Sequence, residues 1–404
     1  MKILLIITIY LLVFSSFKVN SNPNYNTSKN KTISLIEIDQ VNVFKSTSYS
    51  KNDSFPEFPD LFFEYRLAEL NNNTPLDLEF NSYVKEYILM YANERREQVS
   101  KVIGLSEYYF PIFEEYLDKY ELPLELKYLP VVESALNPNA RSTSGAMGLW
   151  QFKLNSAKMF NLKIDSYVDE RCDPVKSTEA ACKYLKYLYG IFNDWNLAIA
   201  AYNTGPGVVR NIIERSGGED NFWELYNKFP EEAGDYISAF IAANYIMNFY
   251  EEHEIIPIGP KISFFETDTI HVQHSIHFTQ IADKLNISLD ILKFLNPQFK
   301  LDYIPVNGTS VSFILPTGYA LAFIQNETEI YGSINDKKDN GYIKKKPSKS
   351  KKVIHVVEKG EFLHKIALQY HCTIENIKQW NNLSGDTLQE GQNLIIYVEK
   401  DYYK

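Results

Sequence analysis

Apolar residues recur at helical intervals through most of the first 250 residues. Spacings of three and four residues occur in residues 61–120 and in the segments STEAACKYLKYLYGIF, NLAIAAYNTGPGVVRNII and DYISAFIAANYIMNFYEE. Between residues 79 and 252 no stretch shows the alternation typical of a half-buried strand. Gly104 and Ser106 predict the end of one helix and the N-cap of the next, and Ser177 predicts another helix start. We therefore expect one mainly helical domain here.

The pattern changes after Ile256, where short strand-like runs flank short helical runs. ISFFETDTIHV and SVSFILP predict strands around the helices FTQIADKLN and SLDILKFLNP, and the same order returns in residues 353–398. The apolar positions of the two copies correspond, as in Ile281-Ala282 with Ile366-Ala367, and Leu289 and Leu292 with Ile374 and Ile377. This indicates an internal β-α-α-β repeat. The predicted fold class is multidomain α+β, with a mainly α domain followed by small β-α-α-β modules.

The segments outside these domains are polar, except for the N-terminus. Residues 1–21 contain an apolar run that is short for a membrane span, which predicts a signal peptide, or else an uncleaved anchor. Residues 22–58 are rich in Asn, Ser, Thr and Lys and predict a disordered leader. Residues 333–352 hold eight Lys and two Asp, a basic linker that is more simply a solvated tether than an adhesive segment. We expect an exported protein.

Charge and cysteine content narrow the function further. A net charge of −10 and a pI near 5.4 argue against nucleic-acid binding. Cys172 and Cys182 are close enough in sequence to form a disulfide, but two free, partly buried thiols are the simpler interpretation. His271, His274 and His277 are spaced by three residues, which does not suit one face of a strand, so no metal site is predicted.

A carboxylate interrupts the apolar stripe of the segment ELPLELKYLPVVESALNPN. The stripe consists of Leu122, Leu126, Leu129, Glu133 and Leu136. Pro130 predicts a kink or a shorter helix, and Asn137-Pro138 must end it, so Glu133 falls in the last turn. A carboxylate on such a face is costly unless it is paired or protonated, and a protonated Glu133 could act as a general acid. Taken alone, a glutamate that reaches water from the helix end is the simpler interpretation.

The residues around Glu133 change that interpretation. The blocks ES, NP, S and SGAMGLWQF, then NLAIAAYNTGPG, then YISAFIAANYI resemble the catalytic domain of the lytic murein transglycosylases, which has a lysozyme-like fold. The later β-α-α-β units resemble LysM domains, which bind N-acetylglucosamine-containing glycans. The resemblance implies a transglycosylase domain at 59–255, including its N-terminal helices, a divergent LysM-like domain at 256–332 and a LysM domain at 353–398.

The family's motifs imply roles for individual residues. Glu133 matches the catalytic glutamate. The side chains expected to bind the glycan are Ser142, Met147, Gln151, Tyr202, Asn203 and Tyr236. Of these, Ser142 would contact the muramic acid and Tyr236 would approach the catalytic carboxylate, whereas Met147 could equally be a packing residue. In the LysM domain, the candidate glycan-binding turn is Gly360, Glu361, Phe362 and Leu363, although Glu361 and Phe362 depart from the family's usual Asp and Thr or Ser.

The implied reaction needs a single carboxyl group. Glycoside hydrolases usually use two, and the matched motifs supply one. Further acidic residues, which belong to no motif, are Asp165, Asp169, Glu170, Asp173 and Glu179. The resemblance therefore implies cleavage of the MurNAc-GlcNAc β-1,4 bond without water, leaving a 1,6-anhydro-MurNAc end, with Glu133 as acid and then base and with no metal or cofactor. A lysozyme-type hydrolase and a non-catalytic wall-binding protein are the alternatives.

The same resemblance implies binding partners and a cellular location. The expected partners are glycan strands of peptidoglycan, in the periplasm or cell envelope. Association with a membrane through residues 1–21 is compatible with the sequence, and no protein partner is indicated.

Overall fold

A computed structural model describes residues 55–260, 262–331 and 350–399, apart from gaps at 359–360, 362, 371, 373, 384 and 386. The expected signal peptide lies outside the described residues. So does the expected linker apart from residues 350–352, which belong to a strand instead. The same is true of the leader except for its end, where the ring of Phe58 stacks on Phe62 at 4.2 Å. No helix among the described residues is long and apolar enough to cross a membrane.

Helices form the first domain. They are α1 (Asp60–Asn71), α2 (Ser82–Leu89), α3 (Arg96–Lys119), α4 (Leu129–Ser134), α5 (Leu154–Met159), α6 (Pro174–Phe192), α7 (Trp195–Thr204), α8 (Pro206–Arg215), α9 (Phe222–Leu225) and α10 (Glu231–Phe249). A π-helical turn, Met90–Glu94, joins α2 to α3, and 3-10 turns are found at Leu124–Tyr128 and Tyr226–Lys228. Between residues 79 and 252, all described, only isolated β-bridges occur, as expected.

Helix α10 is the centre of this domain. It is buried along most of its length and packs against α2, α4 and α7. Its small residues, such as Ala239, Ala242 and Ala243, are fully or almost fully buried. Small side chains allow neighbouring helices to approach closely, and the approach of α4 to α10 brings the candidate site together.

Three expected helix boundaries are wrong. Gly104 and Ser106 lie inside α3, because α3 uses glycine for close packing: a Cβ at Gly104 would lie 2.2 Å from the backbone of Ile258. Ser106 is not an N-cap, and its hydroxyl donates to the Ile103 carbonyl at 2.7 Å. Ser177 lies in the first turn of α6, whose N-cap is Asp173, with Oδ1 accepting from two backbone N–H groups.

The apolar stripe around Glu133 does not lie on one helix. Leu124–Tyr128 forms a 3-10 turn and α4 begins at Leu129, which places Pro130 where its missing N–H is tolerated. Helix α4 ends at Ser134, since Ala135 and Leu136 have φ values of 50° and 58°. Of the two outcomes that Pro130 predicted, the shorter helix is confirmed, and Glu133 lies in its last turn.

The first β-α-α-β module has its predicted elements, three further helices and strands, and a 3-10 turn at Phe264–Glu266 that shortens its first predicted strand. Its elements are β1 (Thr267–Val272), β2 (Ile276–His277), α11 (Phe278–Leu285), α12 (Leu289–Leu295), β3 (Tyr303–Ile304), β4 (Val311–Pro316) and α13 (Thr317–Gln325). Strand β1 pairs antiparallel with β4, and β2 with β3. Helix α13 and the β2-β3 pair were not predicted, because each is too short or too uniformly apolar for a clear period. The module joins the helical domain where Asp169 N–H donates to the Gln298 carbonyl at 2.9 Å.

The second module repeats the first. Its elements are β5 (Ser350–Val356), α14 (Leu363–Gln369), α15 (Ile374–Asn381) and β6 (Asn393–Glu399), with β5 antiparallel to β6. Ile281 and Ile366 are both fully buried, as are Leu292 and Ile377. The predicted correspondence of apolar positions therefore holds in the cores of both modules, and the multidomain α+β fold class is confirmed.

Candidate active site

Glu133 and Tyr236 meet where α4 packs on α10. The Tyr236 hydroxyl donates to Oε1 of Glu133 at 2.6 Å, and Tyr236 is buried. The end of α4 is fixed by its neighbour, because the buried Ser134 hydroxyl lies 3.0 Å from the Pro130 carbonyl and 2.9 Å from the Leu149 carbonyl. Glu133, which is partly buried, is therefore held between a rigid helix end and the centre of the domain.

The environment of Glu133 favours its protonated form. Burial raises the pKa of Glu133 from 4.5 to about 7, although the Tyr236 hydrogen bond and the charge of Lys153 both lower it. The carboxyl group is then close to half protonated at neutral pH. A group in that state can both give and take a proton, which general acid–base catalysis requires.

Tyr202 and Asn203 lie near the end of α7, across from Glu133. The Tyr202 hydroxyl donates to the Trp150 carbonyl at 2.8 Å, and the nearby charge of Glu133 helps raise the pKa of Tyr202. Asn203 is partly exposed, two residues before Gly205, whose φ of +93° ends the helix. Trp150 is fully buried, and its indole N–H donates to Thr178 Oγ1 at 2.9 Å.

Ser142 and Gln151 support the loop between α4 and α5. The Ser142 hydroxyl accepts from the Ala146 N–H at 3.0 Å and lies 3.0 Å from the Ser144 hydroxyl. The Gln151 amide nitrogen donates to the carbonyls of Ala140 and Gly148. Met147 is partly buried and bridges to Phe152 through backbone hydrogen bonds. All three side chains lie on the loop beside Glu133, and Ser142 and Gln151 have structural contacts there.

A buried ion pair supports the loop between α4 and α5. Sequence reasoning missed this pair. Asp169 and Arg171 form two side-chain hydrogen bonds, at 2.9 and 2.7 Å, and Arg171 also donates to the Gly145 and Phe152 carbonyls. Gly148, with a φ of +86°, lies so close that a Cβ would be 1.8 Å from the Arg171 carbonyl oxygen. The sequence offered only the run Asp169-Glu170-Arg171 as a signal for this ion pair, and such a run is equally typical of an exposed turn.

The acidic residues without a motif have structural partners. Asp165 accepts from the N–H groups of Tyr167 and Val168, Glu170 contacts Lys176 and the Lys163 N–H, and Asp173 caps α6. Glu179 accepts from the Tyr120 hydroxyl at 2.8 Å. Asp235, which precedes Tyr236, interacts with the Tyr87 hydroxyl. These contacts give each carboxylate a partner in the scaffold.

Lys153 is the second residue that sequence reasoning missed. It is exposed, precedes α5, and its charge acts on Glu133. Its position directly after the GLWQF block was the available signal.

In the C-terminal module, the candidate glycan-binding turn is partly described. Gly360 and Phe362 lie outside the described residues, and Leu363 is buried in the module core. Glu361 turns inward, with Oε2 2.8 Å from Nε2 of the buried His355 and 2.9 Å from the Glu358 N–H. Glu361 therefore supports the turn from within.

The three histidines of the first module have separate environments. The His274 ring contacts Tyr331 and the His277 ring contacts Tyr303. Within the described ranges, no three His, Cys, Asp or Glu residues lie close enough together to hold a metal ion. Cys172 and Cys182 are both free and buried, which decides between the two alternatives left open by the sequence.

Comparison with known families identifies three domains in the chain. Residues 111–224 match the Transglycosylase SLT domain, residues 266–332 the LysM-like domain of the lytic transglycosylase MltD, and residues 355–396 the LysM domain. The chain therefore carries an SLT domain followed by two LysM-type domains. The resemblance inferred from the sequence motifs is confirmed.

Individual proteins are also similar to this chain. The chain is homologous to membrane-bound lytic murein transglycosylase D of Escherichia coli K12, with 29% identity over 283 residues, 69% of this chain and 61% of that protein. The chain thus matches less than two thirds of that relative's length. The soluble lytic murein transglycosylase of E. coli K12 is 31% identical over 33% of this chain and 22% of its own. The crystal structure of the 70 kDa soluble lytic transglycosylase Slt70 of E. coli, 27% identical, covers 36% of this chain and 24% of its own, with a TM-score of 0.31.

Proposed function

We propose that the chain is a peptidoglycan lytic transglycosylase that cleaves the MurNAc-GlcNAc β-1,4 bond and leaves a 1,6-anhydro-MurNAc end. The observation that carries the proposal is the hydrogen bond from Tyr236 to Glu133, which lies within the residues 111–224 that match the SLT domain. Support also comes from the scaffold contacts of Asp165, Asp169 and Glu170, because an inverting or retaining hydrolase would need a second carboxylate at the bond.

In the proposed mechanism, Glu133 acts twice. Its protonated carboxyl group first gives a proton to the glycosidic oxygen, and the bond to the anomeric carbon breaks while the substrate's own N-acetyl group assists. The Tyr236 hydroxyl donates to Oε1, so the proton that is transferred sits on Oε2. The same hydrogen bond stabilises the carboxylate that remains.

The carboxylate then takes the proton of the muramic acid 6-hydroxyl. That oxygen attacks the anomeric carbon and closes the 1,6-anhydro ring, which returns Glu133 to its protonated state without the use of water. Ser142, Met147, Gln151, Tyr202 and Asn203 are proposed to line the glycan site. No metal or cofactor takes part in this proposal.

The proposed location is the periplasm or cell envelope, where peptidoglycan is the partner. The LysM-type modules support retention on glycan strands. Residues 1–21 are proposed to direct export, as a cleaved signal or as an uncleaved membrane anchor.

The test is mass spectrometry of the products released from purified peptidoglycan by the wild type and by Glu133→Gln. We expect muropeptides lighter by one water than the hydrolysis products, and none from the variant. Ordinary reducing ends would mean that water attacks, and the search for a second carboxylate would begin between Asp165 and Asp173. No products from either protein would favour a wall-binding protein.

A further inference from the structure

Five aromatic side chains form a continuous row that leads away from the candidate active site. The Tyr202 ring lies 6.4 Å from Phe152 and 5.4 Å from Tyr184, and the Tyr184 ring lies 5.5 Å from Phe160 and 6.4 Å from Tyr187. These five residues are called the aromatic row below. Its inner end is next to Glu133, whose charge acts on Tyr202.

The outer end of the row faces solvent. Tyr187 follows Tyr184 by three residues on α6, so the two side chains share one side of the helix, and their rings are within 16° of parallel. Tyr184 is partly buried, whereas Tyr187 is 54% exposed. The exposed ring face of Tyr187 offers an apolar surface to a ligand, and its contact with Tyr184 connects it to Tyr202, a residue of the proposed glycan site.

The charges around Tyr187 are compensated. Lys183 pairs with Glu179 at 3.2 Å, and Lys186 pairs with Glu121 and donates to the Tyr120 carbonyl. This part of α6 therefore does not select for a strongly charged polymer. An aromatic face bordered by polar groups suits a sugar ring, which has an apolar C–H face and hydroxyl groups along its edge.

We propose that Tyr187, supported by Tyr184, forms a distal subsite that holds sugar units of the glycan strand beyond the bond that is cleaved. This inference rests on the proposed function, because it takes the polymer at Tyr202 and Glu133 to be peptidoglycan. It deepens that function by making the enzyme selective for long strands. Tyr187 binds substrate here and takes no part in the chemistry.

The experiment compares the full chain with Tyr187→Ala on two substrates, long glycan strands and a tetrasaccharide of alternating GlcNAc and MurNAc. We expect Tyr187→Ala to lower kcat/KM on long strands by about fivefold to tenfold, through KM, and to leave the tetrasaccharide unaffected. Tyr187→Trp should keep the preference for long strands. Tyr65→Ala, which removes a tyrosine 66% exposed on α1, is the matched control and should behave as wild type on both substrates.

Equal losses on both substrates, or no loss on either, would overturn the inference while leaving the proposed function intact. Binding supplies a readout that does not depend on turnover. In the Glu133→Gln background, Tyr187→Ala should weaken cosedimentation with long strands relative to Tyr65→Ala, and unchanged binding would count against the subsite. If the wild type released no products at all, the proposed function would fail, and this binding comparison would still decide whether Tyr187 contacts glycan.

Discussion

The hydroxyl of Tyr236 on α10 donates a hydrogen bond of 2.6 Å to Oε1 of Glu133 at the end of α4, 103 residues earlier in the chain. Because a donor stabilises the charged form, this contact lowers a pKa that burial has raised. The pair therefore sets both the position and the acidity of the proposed catalytic group.

Removal of that hydroxyl should make Glu133 a weaker acid. In Tyr236→Phe we expect the pKa of Glu133 to rise and the alkaline limb of the kcat/KM profile to move to higher pH. We also expect kcat to fall by about 10- to 100-fold, because the carboxylate loses a preorganised donor. The measurement is the pH profile on a defined glycan. Tyr109→Phe is the control, since the buried Tyr109 hydroxyl has no hydrogen-bond partner among the described residues. A Tyr236→Phe profile that coincides with wild type would show that the contact does not tune Glu133.

The raised pKa also has a cost in stability above neutral pH. The folded-state pKa of about 7 exceeds the ordinary value of 4.5, so the folded protein binds more protons than the unfolded chain between these values. The stability contributed by Glu133 is therefore complete below about pH 4.5 and is lost as the pH rises through 7, with a total on the order of 3 kcal/mol.

Glu133→Gln should escape this loss, because the amide does not ionise. We expect the variant to be more stable than wild type at pH 8, and the difference to disappear near pH 4. Urea unfolding at both pH values measures it, and Glu232→Gln, an exposed position on α10, serves as the control. A difference in stability between wild type and Glu133→Gln that stays constant across this pH range would contradict a raised pKa for Glu133.

Substitution of Lys153 should change the pKa of Glu133 by a second, independent route. Its positive charge lowers the pKa of Glu133, so Lys153→Met should raise that pKa and move the alkaline limb of the activity profile upward. The shift should be larger at low ionic strength, because Lys153 is exposed and salt screens its charge. Lys158→Met, at the end of α5, is the matched control. A shift of the alkaline limb to lower pH would contradict this charge effect, because loss of a positive charge cannot lower the pKa of a nearby carboxyl group.

Local sequence patterns predicted the helices and strands better than they predicted the contacts between them. The short helix that carries Glu133 followed from Pro130 and Asn137-Pro138, because proline restricts backbone geometry through local sterics. The internal end assigned to Gly104 failed, because that glycine is required by the backbone of Ile258, more than 150 residues away. Similarly, the motif that contains Glu133 is visible in the sequence. The hydrogen bonds from Arg171 to the Gly145 and Phe152 carbonyls are tertiary contacts, which a local sequence pattern does not predict.

Two glycines in the loop beside Glu133 should respond very differently to alanine. Both Gly145 and Gly148 have positive φ, but a Cβ at Gly145 meets no atom within 4 Å, whereas one at Gly148 would collide with the Arg171 carbonyl. Gly145→Ala should therefore cost about 1–2 kcal/mol for backbone strain alone. Gly148→Ala should cost more than about 3 kcal/mol and should also lower activity, because the loop must move. Urea unfolding and assays of the two variants test this, and similar costs would show that the approach of Arg171 is not rigid.

In each β-α-α-β module, one asparagine at the end of the second helix forms hydrogen bonds to the last strand. Asn381 donates to the Ile395 carbonyl at 2.9 Å and accepts from the Ile395 N–H at 2.6 Å, and Asn296 makes the same two bonds to Ile314, both at 2.8 Å. The amide thereby ties the helix to the middle of the last strand. Asn381→Ala would leave two partly buried backbone groups of Ile395 unpaired, at a cost of about 2–3 kcal/mol.

We expect Asn381→Ala to weaken protection of β6 amides against hydrogen exchange and to reduce retention on insoluble peptidoglycan, with turnover of a short soluble glycan unchanged. Gln379→Ala, an exposed position on the same helix, is the control. Because the bonds of Asn296 are the same, Asn296→Ala should loosen β4 by a comparable amount in the first module. If Asn381→Ala loses exchange protection in β6 but keeps full retention on peptidoglycan, the C-terminal module does not contribute to glycan binding. If β6 keeps its protection, the asparagine is not what holds the helix to the strand.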